Sequence, residues 1–363
     1  MSHPASPTTP PSHPLEVRGY AALSAGAPLE PYVFGRREVG PKDVLFEIKY
    51  CGVCHSDIHQ ARAEWDPNSI FPMVPGHELV GVVTRVGTEV TRFAVGDRVG
   101  VGCMVDSCRT CPPCSNGLEQ YCEGHAVLTY NGTEVDGITP TYGGYSTRMV
   151  VDEAFALKIP ATLDLARSAP LLCAGITTWS PLRHWKVGPG HRVGIIGLGG
   201  LGHMAVQLAS RLGAEVTVFS TSTAKEADAR RLGAHHFVAT RREGALEPLQ
   251  RSFDFLLSTV SSAYVLSGYV NLLKLDATLV IVGAPPASQP PVLDVMPLLM
   301  GRRRVAGSAI GGIRETQEML DFCGEHNIAA DIELIEIDRV NEAYERVLNG
   351  DVRYRFVLDL ATL

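Results

Sequence analysis

Three kinds of feature are missing from this 363-residue chain, and each absence narrows its possible functions. No apolar run approaches the roughly 20 residues that span a bilayer, so the sequence does not predict a membrane protein. Acidic residues outnumber basic ones by 39 to 32, and the net charge of −7 argues against nucleic acid or an acidic membrane as the main partner. No segment repeats at a fixed period, which argues against a repeat architecture.

The first fourteen residues also lack an apolar stretch, and they are rich in Pro, Ser and Thr. We predict that residues 1–14 form a disordered tail rather than a secretory signal. The chain has an odd number of cysteines, nine, which does not suggest a framework of disulfides. These features predict a cytoplasmic protein whose thiols are free to bind metal.

The pattern of the chain changes at about residue 170. Before it, short β-like runs such as Val44–Tyr50 and Val80–Val86 alternate with Gly and Pro turns, which predicts a mostly antiparallel β domain. After it, strands alternate with helices, and this predicts a parallel sheet covered on both faces. The predicted fold is therefore α/β with two domains. The predicted elements of the second part include strands Arg192–Ile196, Glu215–Phe219, Phe253–Ser258 and Leu279–Val282, and helices His203–Leu212, Ala224–Leu232 and Tyr264–Lys274.

The most specific local pattern is the run C-x2-C-x2-C-x7-C, formed by Cys108, Cys111, Cys114 and Cys122. Thiolates at this spacing on a loop close a tetrahedral zinc cage, and four sulfurs leave no open position for a substrate. We therefore predict a structural zinc. A pair of disulfides is the alternative, and the missing secretory signal argues against it.

Cys54, His77 and Cys173 form a second set of possible metal ligands. Two cysteines and a histidine leave a fourth tetrahedral position open, which is the layout of a catalytic zinc. Glu78 follows His77 and is either a fourth ligand or a carboxylate behind the ligands, and Asp57 is placed to orient a ligand. Spacing alone leaves open whether these residues meet in space.

The glycine-rich run GLGGLG follows the strand Arg192–Ile196 and begins a helix. In this context Gly197 allows a tight turn, Gly199 lets the backbone approach a pyrophosphate, and Gly202 lets the helix lie close to the strand. The helix N-terminus offers unpaired N–H groups and a positive dipole end to the phosphates. The run therefore predicts a Rossmann domain that binds a dinucleotide.

The end of the second strand of this domain predicts which dinucleotide binds. Enzymes that use NAD usually place Asp or Glu there to bind the ribose 2′-hydroxyl. This chain instead has Ser220, Thr221, Ser222 and Thr223, followed by Lys225, with no acid before Glu226. Hydroxyl groups and an ammonium suit a 2′-phosphate, so we predict NADP(H). An ordinary helix N-cap at Ser222 or Thr223 is compatible with the same residues.

The order of these motifs resembles that of the zinc-dependent medium-chain alcohol dehydrogenases. The runs CGVCHSDIH, PGHELVG, LLCAGITTWSPL and GLGGLG, together with the four-cysteine segment, are similar to the cinnamyl alcohol dehydrogenase branch and its bacterial broad-range NADPH-dependent aldehyde reductases. The resemblance runs from about Arg18 to Leu360. It implies a GroES-like, β-rich catalytic domain made of residues 15–168 and 309–363, and a Rossmann domain with a doubly wound parallel sheet at residues 169–308.

The resemblance also implies roles for individual residues. Cys54, His77 and Cys173 would bind a catalytic zinc, with Glu78 able to approach it, and the four-cysteine segment would bind a structural zinc. Ser56 would lie beside the oxygen of the substrate, and His59 at the outer end of a proton relay. The residues implied in cofactor binding are His55, Ser56, Thr177, Gly197, Leu198, Gly199, Gly200, Leu201, Gly202, Ser220, Thr221, Ser222, Lys225, Thr259, Gly283, Ser308, Ala309 and Ile310.

The activity implied is the reduction of aromatic and aliphatic aldehydes to primary alcohols, with hydride from NADPH and zinc as Lewis acid. Trp65, Met104 and Tyr130 are candidates to line an apolar substrate pocket, and plain packing is the alternative for each. Two rival functions stay open: an NAD-dependent alcohol or polyol dehydrogenase, and a non-catalytic NADPH- or metal-binding sensor. The resemblance further implies a homodimer joined through the edge strand Arg303–Ser308.

Overall fold

The computed structural model describes residues 15–261, 264–285 and 291–363. The predicted disordered tail, residues 1–14, lies outside these ranges. The strands are β1 Leu15–Ala22, β2 Leu29–Arg36, β3 Asp43–Gly52, β4 Leu79–Val86, β5 Arg98–Val101, β6 Met104–Asp106, β7 Val127–Leu128, β8 Arg148–Asp152, β9 Leu157–Lys158, β10 Arg192–Ile196, β11 Glu215–Ser220, β12 His236–Ala239, β13 Phe253–Ser258, β14 Leu273–Ile281, β15 Arg304–Gly307, β16 Ile332–Glu336 and β17 Arg355–Asp359. The α-helices are α1 His55–Ala61, α2 Pro112–Ser115, α3 Leu165–Ser168, α4 Ala174–His184, α5 Gly202–Arg211, α6 Glu226–Arg231, α7 Ser267–Val270, α8 Met296–Leu299, α9 Ile313–His326 and α10 Val340–Leu348.

The second part of the chain forms a six-stranded sheet in the order β12-β11-β10-β13-β14-β15. Each neighbouring pair in it is parallel. From β10 the chain adds strands outward in one direction, to β11 and β12, and then returns to add β13, β14 and β15 in the other direction. In doubly wound sheets a crevice opens at such a switch point, here between β10 and β13, at the carboxyl ends of the strands. The glycine-rich run lies at the end of β10, so it lies at this crevice.

The first part of the chain forms a seven-stranded sheet in the order β16-β17-β3-β4-β5-β9, with β8 also paired to β3. All of its pairs are antiparallel except β16 with β17. The last two strands of the chain therefore complete a sheet that begins near the N-terminus. Strand β17 lies beside β3, where Val357 faces Gly52, and this places the end of the chain next to the Cys54 region.

Three hydrophobic clusters support this arrangement, and two of them position the site. One fills the β-rich domain around buried residues such as Phe46, Ile48 and Leu79. The other lies against the parallel sheet and continues through α4 to α9, where Trp179 and Met319 are buried. Because α4 begins directly after Cys173, the second core fixes the position of that cysteine at the junction of the two domains. Within the described ranges, no helix is long and apolar enough to cross a bilayer.

The helix predicted at Tyr264–Lys274 is wrong for most of its length. Only Ser267–Val270 is helical, and β14 already begins at Leu273. Leu272 and Leu273 are fully buried, and Leu273 pairs with Phe253 of the neighbouring parallel strand. An apolar run of this kind satisfies both helical and buried-strand patterns, so periodicity did not distinguish them. The short, half-buried strand β12 was not predicted.

Candidate metal and cofactor site

The four-cysteine segment folds back so that its sulfurs converge. Cys111 precedes α2, Cys114 lies within it, and Cys122 follows a 3₁₀ turn at Glu119–Tyr121. The four Sγ atoms lie within 4.8 Å of one another. Backbone N–H groups of Thr110 and Cys111 donate to the Cys108 sulfur and lower its pKa to about 6, which favours the thiolate that binds metal. The donor set and its geometry therefore fit a zinc ion.

Cys54, His77, Glu78 and Cys173 form a second cluster, so the structure brings together residues that spacing alone could not connect. One ligand atom from each lies within 4.8 Å of the others, and all four residues are buried. The Cys54 and Cys173 sulfurs are 4.0 Å apart, and His77 Nε2 is 3.3 Å from the Cys173 sulfur. The pKa of the Cys54 thiol is lowered because Cys173 donates to it and Arg355 lies nearby. These donors fit a second zinc ion.

Asp57 lies fully buried in the first turn of α1 and holds several residues of this cluster in place. Its carboxylate accepts hydrogen bonds from Cys54 N at 2.8 Å, Gly76 N at 3.2 Å and the Tyr145 hydroxyl at 3.1 Å. It also lies 3.0 Å from His77 Nδ1. This contact places the proton of the imidazole on Nδ1 and leaves Nε2, which faces Cys173, free to bind metal.

Glu78 is fully buried and forms an ion pair with Arg355, which is 6% exposed. The other carboxylate oxygen, Oε2, has no hydrogen-bond partner among the described residues, and burial raises the Glu78 pKa to about 7. Sequence reasoning did not identify Arg355. The feature of the sequence that could have identified Arg355 is that it is the only cation in the strand RFVLD, whose other positions are mainly apolar and buried.

A cleft of about 400 Å³ extends from Cys54, the member of this cluster that lines it, to the glycine-rich run. The wall from the β-rich domain includes Cys54, His55, Ser56, His59 and Trp65, and the facing wall includes Gly199, Gly200, Leu201, Lys225 and Thr259. The end of α10 and the following residues, among them Tyr354 and Arg355, close one side.

The glycine-rich run has the geometry that a phosphate group requires. Gly197 has a φ of +93°, and a Cβ at Gly202 would lie 2.1 Å from the Gly197 carbonyl oxygen, so neither position accepts another residue without strain. A Cβ at Gly199 would meet nothing within 4 Å, which leaves its backbone open to a ligand. Lys225 Nζ reaches back to the Leu198 carbonyl at 2.8 Å, and Ser220 and Ser222 bond to each other at the end of β11. These residues fit a dinucleotide with a phosphate on its ribose.

Ser56 and His59 both lie on α1 and line the cleft. The Ser56 hydroxyl is 3.5 Å from the Cys54 sulfur. The His59 ring stacks on Trp65, with centroids 4.9 Å apart, and its Nδ1 lies 2.5 Å from the Glu64 carboxylate. His59 Nε2 is buried and has no partner among the described residues. The contact with Glu64 was not predicted from the sequence.

Of the predicted cofactor residues, seven line this cleft: His55, Ser56, Gly199, Gly200, Leu201, Lys225 and Thr259. The others lie outside its lining, including Gly197, Leu198, Gly202, Ser220, Thr221 and Ser222. Thr177 is buried one turn after Cys173, and Gly283 follows β14, where its N–H group donates to Ser258. Ser308, Ala309 and Ile310 follow β15, and Ala309 N donates to the Tyr121 hydroxyl. Their roles in cofactor binding stay predictions.

Of the three candidates for an apolar substrate pocket, the structure places only one, Trp65, in the lining of the cleft. Trp65 is 40% exposed and lines the cleft. Met104 and Tyr130 are each 2% exposed and lie outside its lining, so packing describes them better. The Tyr130 ring stacks on the His77 ring, with centroids 5.9 Å apart.

A parallel nucleotide-binding sheet and a cluster of cysteine and histidine ligands thus face each other across one cleft. This combination defines a metal-dependent oxidoreductase that uses a dinucleotide.

Comparisons with known proteins agree with this class. Residues 40–161 match the alcohol dehydrogenase GroES-like domain, and residues 200–325 match the zinc-binding dehydrogenase domain. NADP-dependent alcohol dehydrogenase C 1 of Mycolicibacterium smegmatis is 57% identical, covering 96% of this chain and 99% of that protein. Aldehyde reductase YahK of Escherichia coli is 53% identical, with coverage of 96% and 99%. A cinnamyl alcohol dehydrogenase of Sorghum bicolor has a TM-score of 0.92 at 45% identity, covering 96% of this chain and 98% of that one. The chain therefore belongs to the zinc-binding alcohol dehydrogenase family, which confirms the predicted family and the two-domain α/β fold.

Proposed function

We propose that this protein reduces aldehydes to primary alcohols with NADPH at the Cys54–His77–Cys173 cluster. The observation that carries the proposal is one cleft that is lined by Cys54 of this cluster, by the glycine-rich run and by Lys225. The relatives named NADP-dependent alcohol dehydrogenase and aldehyde reductase support the cofactor and the reaction, as predicted from the sequence. The named cinnamyl alcohol dehydrogenase supports aromatic substrates, which suit the exposed indole of Trp65 in the cleft.

The residues of the cluster would hold the catalytic zinc, with Glu78 beside it. When bound, zinc polarises a carbonyl oxygen and NADPH supplies the hydride. Asp57 orients His77, and Arg355 balances the charge of Glu78 in a buried position where an unpaired carboxylate is costly. The four-cysteine segment would hold the structural zinc.

Ser56 and His59 are proposed to deliver the proton that the product alcohol requires. The Ser56 hydroxyl lies in the cleft near the cluster, and His59 lies one turn further along α1 with its Nε2 facing inward. Its Nδ1 contacts Glu64, whose side chain is 36% exposed, so this side of the ring leads to solvent. A histidine in this place can accept a proton from solvent and pass it inward.

Cofactor preference is proposed to depend on Ser220, Ser222 and Lys225, because their hydroxyl and ammonium groups attract a 2′-phosphate that NADH lacks. The test measures initial rates with cinnamaldehyde and either NADPH or NADH, before and after a zinc chelator. Faster oxidation of NADPH that the chelator abolishes supports the proposal. A preference for NADH would favour the rival alcohol or polyol dehydrogenase, and no turnover of any aldehyde by zinc-loaded protein would favour the sensor.

Three further proposals concern the whole chain. The domain limits are proposed at residues 15–168 with 309–363, and at residues 169–308. A homodimer is supported by the exposed apolar side chains of Val292, Val295, Met296, Leu299 and Met300, which lie in sequence beside the edge strand β15. A cytoplasmic location is supported by two thiol clusters that need a reducing environment.

A further inference from the structure

We propose that Tyr354 and Arg353 are positioning residues that set the preference for NADPH. They hold the carboxylate of Asp228, and through it the segment Ser220–Asp228, in the position that a 2′-phosphate requires. The inference rests on the proposed use of NADPH. Neither residue carries a role in the predicted site.

Tyr354 connects Asp228 with the glycine-rich run. Its hydroxyl donates to Asp228 Oδ2 at 2.9 Å, and its ring stacks almost parallel on the His203 ring, with centroids 5.1 Å apart. His203 is fully buried, and burial lowers its pKa to about 4. The ring is therefore neutral at neutral pH, and its Nδ1–H group donates to the Gly200 carbonyl at 2.8 Å.

The glycine-rich run also touches the strand that follows Tyr354. A Cβ on Gly200 would lie 2.8 Å from Arg355 Cδ and 3.6 Å from the Tyr354 carbonyl oxygen. On the opposite side, Lys225 Nζ donates to the Leu198 carbonyl of the same run. Three segments that are far apart in the chain thus meet around one loop: the Gly197–Gly202 run, the Ser220–Asp228 segment and residues 353–355.

The negative charge of Asp228 would weaken the binding of NADPH unless a neighbouring group neutralises it. Asp228 lies three residues after Lys225, at the start of α6, and its charge reaches the Lys225 ammonium: burial and the nearby Arg353 lower the pKa of Lys225, and Asp228 raises it. A free carboxylate there would repel a phosphate and would not repel the 2′-hydroxyl of NADH. Arg353 lies 3.0 Å from Asp228 Oδ2, at the same oxygen that Tyr354 contacts.

Arg231 is the third partner of Asp228, and it is a weaker one. Arg231 lies 3.6 Å from Asp228 Oδ1 but only 2.5 Å from the Asp331 carboxylate, so its positive charge is divided between two carboxylates. Asp331 also contacts Arg167 at 3.4 Å. The negative charge on Asp228 Oδ2 is therefore neutralised mainly by Arg353 and by the hydrogen bond from Tyr354.

The test compares Tyr354→Phe and Arg353→Gln with the wild type, by measuring kcat and KM for NADPH and for NADH with one aldehyde. Tyr354→Phe keeps the ring on His203 and removes only the hydroxyl group. We expect KM for NADPH to rise about three- to tenfold in each variant, while KM for NADH and both kcat values stay within about twofold. Tyr20→Phe, the same change on strand β1 outside the lining of the cleft, is the matched control and should change neither KM.

A double variant separates charge from general structure. Adding Asp228→Asn to Arg353→Gln removes the unbalanced carboxylate but keeps an oxygen for the Tyr354 hydroxyl, so we expect KM for NADPH to return towards the wild-type value. Equal increases of KM for both cofactors, or no rescue by Asp228→Asn, would overturn the inference. If the wild type itself shows no preference for NADPH, the proposed cofactor fails; if it prefers NADPH and the variants keep that preference, only this inference fails.

Discussion

Asp57 shows how one buried side chain can determine the geometry of a metal site. It contacts Cys54, Gly76, His77 and Tyr145 with two oxygens, so it fixes both the backbone before α1 and the orientation of the imidazole. A carboxylate behind a ligand histidine also raises the basicity of that ligand.

We predict that Asp57→Asn lowers zinc affinity about 10- to 100-fold, because the amide can no longer accept four hydrogen bonds as an anion. Zinc content after dialysis against increasing chelator measures this. The structural site should keep its zinc, and Asp321→Asn, on the exposed face of α9, should match the wild type. Loss of both zinc ions together would indicate unfolding instead.

His59→Gln should lower kcat about a hundredfold and flatten its dependence on pH, because glutamine keeps a polar side chain but cannot transfer a proton. The measurement is kcat with saturating NADPH and aldehyde across pH. A variant with the wild-type rate and profile would remove His59 from the proposed relay.

His203 should make the protein sensitive to acid. Its folded pKa of about 4 lies below the ordinary value of 6.5, so the unfolded chain binds more protons, and stability falls as pH drops from about 6.5 to about 4. The shift corresponds to about 3 kcal/mol at most. His203→Asn can still donate to Gly200 and does not titrate. We expect its Tm to fall less than that of the wild type over this range, and an equal fall would contradict the prediction.

At the scale of single elements, local patterns and long-range contacts differed in how well they could be predicted. The four-cysteine segment was found because its cysteines stand at short, specific spacings, whereas Cys54, His77 and Cys173 were assigned only through the family resemblance. Strands β10 and β13 were predicted with their observed bounds because their apolar runs are bracketed by turns. The Glu78–Arg355 pair was not found, because 277 residues separate its members. Tyr354 and Asp228 are 126 residues apart, and only the fold reveals that contact.

The segment around α2 has little core of its own and should depend on its metal. Cys111→Ser removes one sulfur from a closed cage, and we expect bound zinc to fall by one equivalent per chain and Tm to drop by several degrees. Zinc analysis and thermal unfolding test this. Cys323→Ser, a cysteine outside both clusters, is the control for zinc content only, because it is fully buried and a hydroxyl in that core would lower Tm by itself. An unchanged zinc content in Cys111→Ser would contradict the structural site.

At the scale of the whole molecule, the edge strand β15 and its apolar neighbours predict assembly. Leu299 and Met300 are 68% and 76% exposed and lie in sequence close to the exposed Val295 and Met296, and a cluster of exposed apolar side chains is typical of an interaction surface. We expect Leu299→Arg with Met300→Arg to shift the molar mass in solution from dimer to monomer, as measured by light scattering. A wild-type monomer would contradict the proposal directly.

The sheet of the β-rich domain is completed by β17, and this has a consequence for synthesis. Glu78 emerges from the ribosome early, but its buried counter-ion Arg355 follows only after the entire parallel sheet has been made. The nucleotide-binding half can fold as soon as its own strands are available, whereas the half that forms the metal cluster has to wait, with an unneutralised carboxylate near its cysteines. The order of translation thus delays assembly of the reactive centre until the cofactor domain already exists.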